Sequence, residues 1–90
     1  MLDLVKLRTF LTVATTGSFS SASLRLCYSQ SAVSTHILSL ERELGTRLFD
    51  RISSKKITLT AAGKQMLSYA PKILALADEA KRVVSPQNFA

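Results

Sequence analysis

The chain has 90 residues, 47% of them hydrophobic, which suits one small domain with a packed core and argues against a disordered segment. A net charge of +6 favours nucleic acid or an anionic membrane surface as partner, while a single cysteine and a single histidine exclude an internal disulfide and a structural zinc site. No apolar run approaches the about 20 residues needed to cross a bilayer, and Met1-Leu2-Asp3-Leu4 does not open a signal peptide, so a cytoplasmic location is expected. The charge is unevenly spread. Between Asp3 and Glu41 there is no acid, but there are Lys6, Arg8 and Arg25. From Leu44 to Ala77 the bases Arg47, Arg51, Lys55, Lys56, Lys64 and Lys72 face Asp50 alone.

Leu4, Leu7, Phe10, Leu11 and Ala14 recur at helical spacing and predict a first amphipathic helix, ended by Gly17. Ser18 then caps a short second helix whose apolar face is Phe19, Ala22 and Leu26. Cys27 and Tyr28 carry the chain through a turn, Cys27 as a small filler and Tyr28 packing on the turn. Ser29 caps a third helix, in which Val33, Ile37, Leu40 and Leu44 form one continuous apolar stripe closed by Gly45. The opposite face of its first two turns carries Gln30, Ser31, Ser34 and Thr35, all uncharged and polar. His36 reads as a partly exposed, neutral histidine.

Leu48-Phe49-Asp50-Arg51-Ile52 and Ile57-Thr58-Leu59 are short β-prone runs flanking the basic turn Ser53-Ser54-Lys55-Lys56, a small hairpin that must lean on the helices. Thr60 caps a long last helix. Two apolar rows repeat every seven residues along it, Met66/Ile73/Ala80 and Leu67/Leu74 with Ala70/Ala77/Val84 between. This is more apolar surface than the preceding body can cover, and pairing with a second copy through Met66, Leu67, Ala70, Ile73, Leu74 and Ala77 is its natural use. Pro71 removes one backbone hydrogen bond inside the helix and is expected to bend it. Ser85-Pro86-Gln87-Asn88 begins a linker.

A short helix, a tight turn and a helix with a polar start are the parts of a helix-turn-helix. The major groove admits one α-helix, whose first turns reach base edges. Small hydroxyl residues let that helix approach closely, and Gln30 offers the paired donor and acceptor that match the adenine edge. The basic hairpin is placed as a wing against the neighbouring backbone. The expected fold is therefore mainly α: a winged helix-turn-helix over residues 1–60, a linker or dimerisation helix over 61–84, and the start of a linker over 85–90.

Ser18-Phe19, Ala22, Leu26, Ser29-Gln30-Ser31-Ala32-Val33-Ser34, Ile37, Leu40-Glu41, Leu44-Gly45, Leu48-Phe49, Arg51, Leu59-Thr60 and Gly63 together resemble the N-terminal domain of LysR-type transcriptional regulators, over roughly Leu4 to Val84. The resemblance implies a homodimer joined by the long helix and sequence-specific binding of double-stranded promoter DNA. It also implies a tetramer, and an inducer-binding C-terminal domain that this sequence does not contain, as in a fragment ending in the linker. Carried over residue by residue, Ser29, Gln30, Ser31 and Ser34 match the DNA-contacting start of the reading helix, and Arg51 matches the arginine at the foot of the wing. Thr35 shares that helix face, and Lys55 and Lys56 are expected to neutralise the phosphate backbone. Three departures stand out. Ser31 replaces a frequent proline, Thr35 and His36 replace a frequent basic residue and glutamine, and the wing runs one residue longer than usual.

Other classes fit less well. No nucleophile elbow, phosphate loop or carboxylate pair is present, so neither catalysis nor a cofactor is expected. A protein-interaction or membrane-surface module built on the amphipathic last helix is the alternative, but it leaves the polar third helix and the basic hairpin without a purpose.

Overall fold

A computed structural model describes residues 2–53 and 56–86, with residues 51–53 and 56 described by their backbone alone. Local chemistry sets each boundary. Helix α1, Leu4–Thr16, begins where the Asp3 carboxylate accepts the N–H groups of Val5 at 2.8 Å and Lys6 at 3.3 Å. A negative cap there satisfies two orphan donors and complements the helix dipole. The helix ends at Gly17, whose φ of 82° is left-handed, with its N–H donated to the Val13 carbonyl.

Ser18 caps α2, Phe19–Leu26, by accepting the Ser21 N–H. Cys27 closes it at φ 60°, an unusual conformation for a residue with a Cβ, and Tyr28 N–H returns to the Ser23 carbonyl. This left-handed residue is the turn of the helix-turn-helix. Cys27 is exposed, so it fills the turn and not the core. Helix α3, Gln30–Leu44, follows from the Ser29 cap and stops at Gly45.

Strands β1, Phe49–Ser53, and β2, Lys56–Leu59, pair antiparallel with Phe49 opposite Leu59 and Asp50 opposite Thr58. The register then shifts. From Asp50 to Ser53 the chain advances three residues while its partner advances only two, from Thr58 to Lys56, so β1 carries one surplus residue, a bulge. Helix α4, Ala61–Val84, runs unbroken through Pro71, which lies on its exposed side.

One core joins the four helices and the start of the wing: Leu7, Phe10 and Val13 from α1, Ala22 from α2, Val33, Ile37 and Leu40 from α3, Leu48 and Phe49 at the start of the wing, and Ala70 and Leu74 from α4, with Ile57 and Leu59 of β2 packed against it. Phe49 is the wing's anchor. Its ring lies 5.3 Å from Phe10 and 6.2 Å, edge-on, from Phe19. A buried carboxylate holds the same corner from the other side: Glu41 Oε2 accepts the Leu48 N–H at 2.8 Å and the Phe49 N–H at 3.2 Å. Thr60 ties the far end of the hairpin to α4. Its hydroxyl donates to the Arg47 carbonyl at 2.6 Å and accepts the Gly63 N–H at 3.0 Å, and its own N–H reaches the Leu48 carbonyl.

Candidate nucleic-acid interface

The first turn of α3 is presented by its cap. Ser29 accepts the Ala32 N–H at 3.1 Å, and its hydroxyl lies 3.2 Å from that of Ser31. Gln30, Ser31 and Thr35 are exposed and Ser34 is half-buried. The remaining N–H groups of that turn add the positive end of the helix dipole to this surface, a setting suited to phosphate oxygens. The five predicted residues of the third helix thus cluster on one accessible end of one element. Leu38, 49% exposed, continues this face one turn further on.

Two polar contacts bind α3 to α1 along one flank. Thr9 Oγ1 lies 2.9 Å from His36 Nδ1, and Lys6 Nζ donates to Ser39 Oγ at 2.8 Å. One turn back along α1 corresponds to one turn forward along α3, so the two helices run antiparallel there. The Tyr28 ring meets the His36 ring edge-on at 5.3 Å. From the sequence Tyr28 packs on the turn, His36 is a partly exposed histidine and Thr9 is one more polar residue between the apolar positions of α1; its full burial is set by tertiary packing. Glu41 was likewise missed, although it is an acid inside the turn that closes the helical stripe.

The wing residues are less fully placed. Arg51 lies in β1 and Lys56 opens β2, each by its backbone, and Lys55 lies outside the described residues.

Helix α4 divides its apolar residues between the chain's own core and solvent. Ala70 is fully buried and Leu74 is 5% exposed, both inside the chain's own core, with Leu67 packed against it. Met66 and Ile73 of the other row also pack against that core, while Ala77 does not enter it. The open apolar surface instead holds Tyr69 at 59%, Leu76 at 64% and Val83 at 75% exposure, spaced by seven. With Met66, Ile73 and Ala80 of the other expected row, these residues alternate at intervals of three and four, the spacing of a coiled-coil seam.

Among the described residues no group of His, Cys, Asp and Glu is arranged to hold a metal ion, and no helix is long and apolar enough to cross a membrane. A short α2, a left-handed turn, an α3 with an exposed polar start and a two-stranded hairpin docked behind it define a winged helix-turn-helix.

The family model for bacterial regulatory helix-turn-helix proteins of the lysR family matches residues 4–64, and the chain belongs to that family. It is 48% identical to the HTH-type transcriptional regulator YwqM of Bacillus subtilis over 80 residues, covering 89% of this chain and 27% of YwqM. It is 42% identical to an HTH-type regulator from the ibpB-leuC intergenic region of Azotobacter vinelandii, covering 97% of this chain and 60% of that protein. The fold superposes on the CbnR DNA-binding domain in a crystal structure of its complex with DNA, with a TM-score of 0.85, 36% identity, and 90% and 92% of the two chains covered. It also superposes on VV2_1132, a LysR family transcriptional regulator, with a TM-score of 0.88, 34% identity, and 99% and 32% coverage. The chain therefore spans about a quarter to three fifths of the length of these curated relatives.

Proposed function

We propose that this domain binds double-stranded DNA sequence-specifically, as the DNA-reading part of a LysR-type transcriptional regulator. The observation that carries the reading is the exposed, uncharged polar start of α3, set in a winged helix-turn-helix on a chain of net charge +6. The amides of that turn, with the hydroxyls of Ser29, Ser31 and Ser34, bond phosphate oxygens and set the register. Gln30, with Thr35 beside it, reads base edges in the major groove. Arg51, Lys55 and Lys56 neutralise the flanking backbone from the wing. The crystal structure of the CbnR domain in complex with DNA supports this assignment, since the two domains share one fold along nearly their whole length.

Two copies pair through α4 along Met66, Tyr69, Ile73, Leu76, Ala80 and Val83, and present two α3 helices to a dyad-symmetric site about one helical turn apart. Residues 61–84 thus serve both as the last element of the domain core and as the dimer seam. The domain acts by binding and not by catalysis, in the cytoplasm and on the nucleoid. Inducer binding and tetramer assembly belong to a C-terminal effector domain beyond these 90 residues.

Selection of bound duplexes from a random pool, at low and at moderate salt, tests this. The expected result is a dyad-symmetric motif that persists at moderate salt. Binding that yields no motif and vanishes as salt rises would reduce the activity to charge attraction and overturn base reading by α3.

A further inference from the structure

The contact between Thr9 and His36 has only one assignment in which the threonine hydroxyl itself bonds both of its neighbours. Thr9 Oγ1 lies 3.0 Å from the Val5 carbonyl oxygen and 2.9 Å from His36 Nδ1. A hydroxyl has one proton. The Val5 carbonyl can only accept, so it takes that proton, as helix threonines commonly arrange with the carbonyl four residues back. The oxygen must then accept from the imidazole, which requires the proton on Nδ1. Thr9 is fully buried, and the Val5 carbonyl also takes the Thr9 N–H within the helix, so the Nδ1–H form is distinguished by letting the one hydroxyl make both of its contacts at once. The Tyr28 ring, from the turn that leads into α3, stands nearly perpendicular to the imidazole with the ring centroids 5.3 Å apart.

We propose that Thr9, His36 and Tyr28 form a positioning element that locks His36 as its Nδ1–H tautomer and sets the seating of α3 on α1. The inference rests on the reading of α3 as the base-reading helix. His36 lies one residue beyond Thr35 and two beyond Ser34, so a change in its seating is transmitted directly to the proposed contact residues. The lock therefore contributes to discrimination among sequences more than to general affinity for DNA. It acts on geometry, since a phosphate contact tolerates small shifts of the helix, whereas a bidentate base contact does not.

Two measurements test this. His36 is the only histidine of the chain, so long-range nitrogen–proton correlation spectra of its imidazole need no assignment step. Under conditions that leave the ring neutral, the Nδ1–H form is expected to dominate, and a dominant Nε2–H form or an even mixture would overturn the lock. The second measurement compares binding of the selected duplex with binding of a duplex lacking the motif. Thr9→Val and His36→Gln are expected to weaken specific binding by about five- to tenfold, the range of one lost hydrogen bond, and to leave non-specific binding unchanged. Thr9→Ser keeps the hydroxyl, and His36→Asn places an amide donor where Nδ1 stands, so both should retain specific binding. Equal loss on both duplexes, or no difference between His36→Asn and His36→Gln, would overturn the positioning role. Recovery of no motif by the unmodified chain would instead overturn the DNA reading itself, and the tautomer spectrum would still judge the lock.

Discussion

Gly63 offers a perturbation whose sign separates two physical effects. It lies in the first turn of α4, where an exposed glycine replaced by alanine would gain about 1 kcal/mol of helix propensity. Gly63 is buried, however, and a Cβ built there would overlap the Leu48 carbonyl oxygen and lie 2.9 Å from Leu59 Cδ2 and 3.0 Å from the Leu48 carbonyl carbon. The obstacle is mainly backbone, so no rotamer change relieves it. The same carbonyl accepts the Thr60 N–H at 3.0 Å, and the Leu48 N–H is held by Glu41, so relief at Gly63 strains both the helix cap and the wing anchor. Overpacking of this kind costs about 1–3 kcal/mol, and one weakened backbone hydrogen bond about 1 kcal/mol more. After the propensity gain, Gly63→Ala is expected to destabilise the domain by roughly 1–3 kcal/mol, a fall in Tm of about 5–20 °C for a chain of this size. Urea and thermal unfolding followed by circular dichroism, at one fixed protein concentration, measure it. A Gly63→Ala domain as stable as the parent, or more so, would refute the close approach of α4 to the wing.

Glu41→Ala leaves the Leu48 and Phe49 N–H groups without their buried acceptor and is expected to cost about 2–4 kcal/mol in urea unfolding, whereas Glu41→Gln, which keeps an acceptor oxygen, should cost clearly less. On α4, Leu76→Asp should shift the domain towards monomer in sedimentation while leaving helix content intact. Leu74→Ala should lower stability by about 2–4 kcal/mol, since it empties a buried site; dimer loss without a stability change at Leu74 would reverse the assignment of the two helix faces. Gln30→Ala is expected to relax the selected motif at one position of each half-site, by about 1–3 kcal/mol of discrimination, and a motif unchanged in sequence but bound more weakly overall would make Gln30 a positioning contact instead.

The element boundaries were legible because they rest on local chemistry. Ser18, Ser29 and Thr60 each accept the N–H of the residue three positions on, and Gly17 and Gly45 supply the left-handed residue that ends a helix. These choices involve a few neighbouring atoms, so a string of residues states them. The polar start of α3 was legible for the same reason, as was the helical stripe that buries Val33, Ile37 and Leu40.

How the apolar residues of α4 divide between core and solvent was not legible. Periodicity shows the two rows, but the roll of a helix about its axis is set by what it packs against, here α1 and the foot of the wing. That contact buries Gly63, Ala70 and Leu74 and leaves Tyr69, Leu76 and Val83 in solvent. Glu41 reads in sequence as one more surface acid, and only the return of the chain over the end of α3 brings two N–H groups to its carboxylate. Thr9 and His36 are 27 residues apart, and only the antiparallel packing of α1 on α3 makes them one hydrogen bond. Helix starts, helix stops and the polar start of α3 were thus decided by the sequence locally; the facing of α4, the anchoring of the wing and the seating of α3 were decided by tertiary structure, because each is a contact between residues with no local relation to one another.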